Sequence, residues 1–381
     1  MNIYLDNAAT TKLLPEARTA MLEIMEGEYG NASSLHSTGH AAKVVVEDAR
    51  EKVAQLVNAW ANEIIFTSGG SEANNTVMHI FADRRVAVSS IEHPSVLEAA
   101  KAYAKEVVEL PVDEWGRINV ADVEQAIKNG AELISVMLAN NELGTIEPLE
   151  EIVKCCKKYN TKIHTDATQA FGKIKVDART LGVDYMTMSA HKIGGPIGIG
   201  ALYVRRGSPY QPLIYGGHQE NSRRAGTTNT MLIAGFGAAA KWCWDNWSCR
   251  KWAEIAQLRD ELKRRILSEI PYSSCNSPED SCLPNILNVN FAAAEGESIQ
   301  LYLDVEGIQV GTGSACAAGD LRPSHVIMAT RGDAEVAHGS IRFSLGLDTT
   351  AADIEKVMAV LPGIIERLQG ISTIKLEQKN V

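Results

Sequence analysis

Glu63-Ile64-Ile65-Phe66-Thr67-Ser68-Gly69-Gly70-Ser71-Glu72 reads as a short apolar strand, a glycine turn and the start of a helix. The same unit recurs downstream. Val86–Ser90 predicts a strand, with a helix after Pro94, and Val107–Val112 predicts another strand. Ile134–Leu138 is a nearly continuous apolar run, followed by a helical stretch over Leu149–Tyr159. Lys162–Thr165, Tyr185–Met188 and Gly200–Val204 add three more strands. Apolar strands alternating with helices predict an α/β fold whose mainly parallel sheet is covered by helices on both faces.

Beyond about residue 230 the pattern changes. Leu232–Ile270 contains no proline and predicts a long helical region, whose tryptophans 242, 244, 247 and 252 are expected to pack against neighbours. Strands over Ile286–Phe291, Ile308–Val310 and Ser340–Phe343 and helices over Ser298–Leu303 and Ala351–Arg367 predict a smaller α+β domain. The expected division is a large domain over residues 13–248 and a small one made of 1–12 and 249–381.

Composition narrows the function. The 381 residues are 45% hydrophobic and 22% charged, which is ordinary for a globular chain with a large core. A net charge of −10 argues against nucleic-acid binding through bulk charge. The N-terminus shows no basic segment followed by an apolar one, and Met231–Ala240 is too short to span a bilayer, so a cytoplasmic protein is expected. Seven irregularly spaced cysteines, none in C-x-x-C spacing, suit neither a disulfide framework nor structural zinc. His36 and His40 are four apart but lack partner ligands.

Three features at strand ends carry chemistry. Ser189-Ala190-His191-Lys192 follows a predicted strand, where a lysine is well placed to form a Schiff base with an aldehyde cofactor. Asp166 ends another strand and can pair with a protonated pyridine nitrogen, making such a ring a better electron sink. Ser68-Gly69-Gly70-Ser71 offers backbone N–H groups at a helix start, a good phosphate site. Taken singly these are a turn lysine, a helix cap and a common turn; together they are far more specific.

With these residues in view, the sequence resembles the class-V aminotransferase superfamily of fold-type-I pyridoxal-phosphate enzymes, in its cysteine desulfurase branch (the NifS and IscS type). The resemblance runs from Tyr4-Leu5-Asp6-Asn7-Ala8-Ala9-Thr10-Thr11 to about Leu345. It passes through Gly30–His36, Phe66–Asn75, Asn140–Gly144, His164–Ala170, Arg224–Thr227 and Gly313–Cys316. It implies that Lys192 holds pyridoxal phosphate covalently, Asp166 pairs with the ring nitrogen and Gln169 binds the ring hydroxylate. His93 stacks on the ring and assists proton transfer. Gly70, Ser71, Ser189 and His191 hold the phosphate, and Thr227 reaches the phosphate in a neighbouring subunit, which implies a homodimer. Arg342, Asn141 and Asn31 are the expected substrate-carboxylate site. Cys316, in the small-residue run Gly311–Asp320, is the implied nucleophile that takes sulfur from L-cysteine, leaves alanine and carries a persulfide to an acceptor protein. Iron–sulfur scaffolds, transfer-RNA thiolation enzymes and cofactor-sulfuration proteins are the acceptor classes left open.

Some positions depart from the family pattern. Ile197 stands where a lysine is common; His218, Asn221 and Ser222 interrupt a glycine-rich stretch; and Gly311-Thr312 opens the cysteine run where serines are usual. Rival readings are a selenocysteine lyase, another pyridoxal-phosphate enzyme such as an aminotransferase, and a catalytically silent sulfur carrier.

Overall fold

The computed structural model describes residues 2–27, 30–246, 251–313, 323–374 and 376. Its strands in chain order are β1 (Ile3–Tyr4), β2 (Ile64–Thr67), β3 (Arg85–Ser89), β4 (Glu106–Leu110), β5 (Leu133–Ser135), β6 (Lys162–Asp166), β7 (Tyr185–Ser189), β8 (Gly200–Val204), β9 (Ser273–Cys275), β10 (Ile286–Phe291), β11 (Ile308–Gln309), β12 (Gly311–Thr312) and β13 (Ser340–Ser344).

Seven of these form the main sheet in the order β2-β8-β7-β6-β5-β3-β4. All pairs are parallel except those of β8, which runs antiparallel to both β2 and β7. Alternation along each strand divides the apolar side chains between two faces. Ile64 and Phe66, Ala87, Ile134 and Met186 enter one core. Ile65, Val86 and Val88, Leu133 and Tyr185 enter another. A sheet buried on both faces explains why these strands read as continuous apolar runs rather than alternating ones.

A third core joins Ile3 and Leu5 to side chains between Ile255 and Leu368. It packs around a four-stranded sheet, β12-β13-β10-β9, and the short parallel pair β1–β11. The N-terminal segment therefore supplies a strand to the C-terminal part of the chain: Ile3 pairs with Ile308, and Asp6 bridges to Ser344.

The expected single helical run over 232–270 is two helices. Thr230–Asp245 is capped at Asn246, and Lys251–Glu269 follows, with residues 247–250 outside the described residues. Trp242 packs against the main core, and the Trp252 indole donates to the Gly172 carbonyl at 3.0 Å. Trp244, expected to pack against neighbours, is instead 46% exposed. Trp247 lies outside the described residues.

One buried ion pair ties the turn at 218–223 to the sheet. Arg50 donates from Nη1 and Nη2 to Glu220 at 2.6 and 2.8 Å, and from Nη1 to the Ile64 carbonyl at 3.0 Å. Both side chains are under a tenth exposed. Burial alone would lower the Arg50 pKa, but the hydrogen-bonded Glu220 carboxylate holds it above its ordinary value. Removing Arg50 leaves the Glu220 carboxylate buried without its charge partner, which costs about 3–5 kcal/mol. Arg50→Met is therefore expected to lower the thermal midpoint sharply, measured by circular dichroism, with Arg50→Lys intermediate.

Candidate active site

Because β3, β5, β6 and β7 are parallel, their carboxyl ends share one edge of the sheet, where ligands bind in open α/β folds. β2 runs in the same direction, since it is antiparallel to β8 as β7 is. That edge therefore carries the turn after Thr67, His93 beyond β3, Asp166 at the end of β6, and Ser189 with Lys192 after β7.

The lysine is held by the N-terminal segment. Lys192 ends a 3-10 turn, Ala190–Lys192, and its Nζ donates to the carbonyls of Ala8 and Ala9, each at 2.6 Å. Thr11 locks the turn from outside: its backbone N–H and its hydroxyl both donate to the His191 carbonyl, and its Oγ1 accepts from Gly194 N–H. His191 Nδ1 lies 3.1 Å from Thr10 Oγ1. Burial, then the charges of Lys192 and Lys173, push the His191 imidazole down to about 4.

Asp166 is buried, 6% exposed. Its Oδ2 accepts from Asn74 Nδ2 at 2.8 Å and its Oδ1 from Thr168 N–H at 2.9 Å. His93 caps the helix Pro94–Tyr103: its Nδ1 accepts from Ser95 N–H and lies 2.7 Å from Ser95 Oγ, which leaves Nε2 for chemistry. Burial, and the nearby charges of Lys192 and His325, lower the His93 pKa, while Asp166 works against them. Gln169 donates through Nε2 to Ala8 O at 2.9 Å, the same carbonyl that receives Lys192.

A cradle lies beside these groups. Gly69 takes φ +155°, a backbone region open to glycine, and a Cβ on Gly200 would meet Gly69 Cα at 2.8 Å. The helix Gly70–Ile80 starts there. A Cβ on Gly70 would sit 3.5 Å from Thr168 Oγ1 and 3.7 Å from Ser189 Cβ. Thr168 Oγ1 and Asn74 Oδ1 are buried without hydrogen-bond partners in the protein. A helix N-terminus, two orphaned polar atoms, an acid and a lysine suit a phosphorylated heteroaromatic aldehyde.

Arg342 stands on β13, 3% exposed, and its Nη2 donates to Asp6 Oδ1 at 2.8 Å while Nη1 donates to the Asn141 carbonyl at 3.2 Å. Its Nε has no partner in the protein. Gly311 explains one departure from the family pattern: a Cβ there would lie 2.7 Å from Asp6 Oδ1 and 2.8 Å from Arg342 Nη2, so a side chain would strike the pair. Asn31 is exposed, and its Oδ1 accepts from Ser33 N–H. Ser71 is also exposed, one residue into its helix.

Thr227 is exposed and lines a cavity of about 230 Å³ with Thr67, Ser68, Glu220, Arg224 and Asn229. Ser222, where the family has glycine, takes φ +64°, and Asn221 takes +57°. Ile197 is 72% exposed. Cys316 lies outside the described residues. Among those residues no group of three metal-ligating side chains is present, and no helix is long and apolar enough to cross a membrane.

Glu142, beside Asn141, is a buried carboxyl that accepts from Ser324 Oγ at 2.5 Å. Burial raises its pKa to about 7, against the hydrogen bond from Ser324 and the charge of Arg342. Its folded value exceeds the ordinary unfolded value near 4.3, so the folded state keeps the proton that the unfolded chain releases. Stability is therefore lost as pH rises from about 4.3 to 7 and is level above. The loss is on the order of 3 kcal/mol. Glu142→Gln should raise the unfolding free energy at pH 8 by up to that amount and change little at pH 4, measured by urea titration at both pH values.

Asn74, Thr168, the Ala8 and Ala9 carbonyls and the Thr10–Thr11 pair carry no role in the sequence reading. Asn74 and Ala8 lie within quoted stretches, but nothing in the residue pattern links them to Asp166, 92 positions on, or to Lys192, 184 positions on.

Residues 3–357 match the family described as aminotransferase class-V, and the chain belongs to that family. Within it, the chain is similar to curated cysteine desulfurases. The cysteine desulfurase IscS of Dictyoglomus turgidum is 44% identical over 386 positions, covering 99% of this chain and 98% of that protein. That of Clostridium botulinum strain Hall is 43% identical, over 97% and 96%. Among solved structures, a NifS-like protein from Rickettsia africae superposes with TM-score 0.89 at 33% identity, over 96% of this chain and 100% of that one. The structure of SspA in complex with cysteine gives TM-score 0.80 at 32% identity, over 90% and 98%.

Proposed function

We propose that this chain is a pyridoxal-phosphate-dependent cysteine desulfurase, converting L-cysteine to L-alanine with a persulfide on Cys316. The observation that carries the reading is the convergence of Lys192, Gln169 and the buried Asp166 at one sheet edge, with Lys192 and Gln169 sharing the Ala8 carbonyl. Full-length similarity to curated cysteine desulfurases supports the choice of reaction.

Pyridoxal phosphate, when bound, supplies an electron sink for charge developing on the substrate's α carbon. Lys192 would hold the cofactor through its Nζ, and as a free amine it would move a proton at the substrate's α carbon. Asp166, fixed from both oxygens by Asn74 and Thr168, holds the ring nitrogen's proton. Gln169 binds the ring hydroxylate. His93 would lie against the cofactor ring, and its Nε2 would serve proton transfer. Gly70, Ser71, Ser189 and His191 hold the phosphate. Arg342, with Asn141 and Asn31, binds the substrate carboxylate; Asp6 and the Asn141 carbonyl aim the guanidinium. The Cys316 thiolate attacks the substrate sulfur. An S–S bond forms, the C–S bond breaks, and the electron pair left on carbon takes up a proton to give alanine.

The reading includes a homodimer, in which Thr227 reaches the neighbouring subunit's phosphate, and a cytoplasmic setting, supported by the unpaired cysteines among the described residues. The division into 13–248 and 1–12 with 249–381 is supported by the separate core that gathers Ile3, Leu5 and the C-terminal side chains. The persulfide passes to an acceptor protein, an iron–sulfur scaffold or a transfer-RNA thiolation enzyme. The reading is tested by Cys316→Ser. The variant should bind the cofactor normally, yet give no 32-Da adduct by mass spectrometry after incubation with cysteine. Sulfide release at the parental rate by this variant would overturn the role given to Cys316.

A further inference from the structure

Lys173 is a second lysine close to the first, and it is buried, 4% exposed. Lysine is seldom buried without a charged partner. Among the described residues no carboxylate forms an ion pair with it. Its Nζ instead donates to the Gln169 carbonyl at 3.0 Å and contacts Gln169 Oε1 at 3.5 Å. Gln169 in turn donates through Nε2 to Ala8 O, which also receives Lys192 Nζ at 2.6 Å. A path of hydrogen bonds thus runs from Lys173 through the carboxamide and the Ala8 carbonyl to Lys192.

A carboxamide accepts on one side and donates on the other, whereas an ammonium only donates. Lys173 therefore selects the orientation in which Oε1 faces it and Nε2 faces Ala8. With Lys173 gone, the Ala8 carbonyl alone would oppose a flipped amide, and one of the two contacts that set the orientation would be lost. The other titratable groups facing the two lysines are Cys243 on the helix Thr230–Asp245, His191 beside Lys192, and His93, with Asp166 the acidic neighbour of His93.

We propose that Lys173 is a positioning residue that fixes the donor face of Gln169 and places a second cation next to the cofactor-binding lysine. This rests on the reading of Lys192 given above. Burial and the charge of Lys192 push Lys173 down to about 7, with Cys243 acting against them, so its charge changes in the range where an enzyme of this kind works.

The test is a pH titration of the visible absorbance band of the cofactor-loaded full-length protein. Lys173→Met, Lys173→Gln and Lys173→Arg are compared with the parent, and thermal melts check the fold. Removing a neighbouring cation favours the protonated form of the Lys192–cofactor bond. The Met and Gln variants should move the band's pH midpoint up by at least about half a unit, a threefold change in proton affinity. Arg should stay near the parent. The rate at which the stripped full-length protein regains the band at neutral pH should fall about threefold in the same two variants. A folded Met variant with the parental midpoint overturns the proposal. So does an Arg variant displaced as far as Met, since packing alone would then be at work. If neither neutral variant folds, Lys173 is a structural cation only and the proposal falls. If the parent itself shows no band and matches Lys192→Ala, it is the reading of Lys192 that fails.

Discussion

Lys192→Ala is expected to abolish alanine formation from cysteine, by at least ~10⁴-fold, and to remove the visible band of the purified protein. Two contributions are lost together. On the proposed reading the covalent anchor goes, and with it the amine that moves the α proton, a role worth roughly 10²–10⁴-fold by itself. The fold should survive, because the surrounding turn is held independently. Thr11 and Gly194 secure its backbone, and the Ala8 and Ala9 carbonyls lose a donor. Absorbance, circular dichroism and an alanine assay on one preparation check all three points. Arginine at 192 should not rescue: it cannot be deprotonated under working conditions, so it can neither form the bond nor accept the proton.

Asp166→Asn is expected to cost roughly 10²–10⁴ in kcat, a size typical of removing one preorganised electrostatic partner or proton-transfer group. The side chain keeps its shape but loses the charge that holds the ring proton. It also conflicts with its own supports. Asn74 Nδ2 and Thr168 N–H both donate to Asp166, and an asparagine can turn only one acceptor toward them. A modest loss of stability, about 1–3 kcal/mol, should accompany the loss of rate. Pairing Asp166→Asn with Asn74→Asp tests the geometry. If the swap restores stability but not kcat, the charge must sit at position 166 for catalysis.

Much of this site is legible in the sequence because its main groups sit at the carboxyl ends of apolar strands. Lys192 after β7, Asp166 at the end of β6 and the glycine turn after β2 are each read from a strand boundary. The elements themselves fall within a few residues of the reading, and Gly200–Val204 and Ile286–Phe291 match it. Strand direction is not legible in the same way. β8 is as apolar as its neighbours, all of it buried, yet it runs antiparallel, and nothing in its composition says so. The long-range supports are equally silent. The pairing of Ile3 with Ile308, the grip of Ala8 and Ala9 on Lys192, and the hold of Asn74 on Asp166 join residues tens to hundreds of positions apart. Lys173 has no role in the sequence reading; its burial and its bond to Gln169 give it a place. The departures at positions 221 and 222 are visible as residue types, but only the positive φ values show that they fall where a glycine would be relaxed.

On the proposed function, this chain binds pyridoxal phosphate through Lys192 and uses it to desulfurate cysteine. The most direct measurement is the visible spectrum of the purified protein before and after addition of L-cysteine, with alanine assayed in the same cuvette. The expected result is a band that changes on adding cysteine, with alanine formed. A protein that shows no band even after addition of pyridoxal phosphate, and forms no alanine, would contradict it.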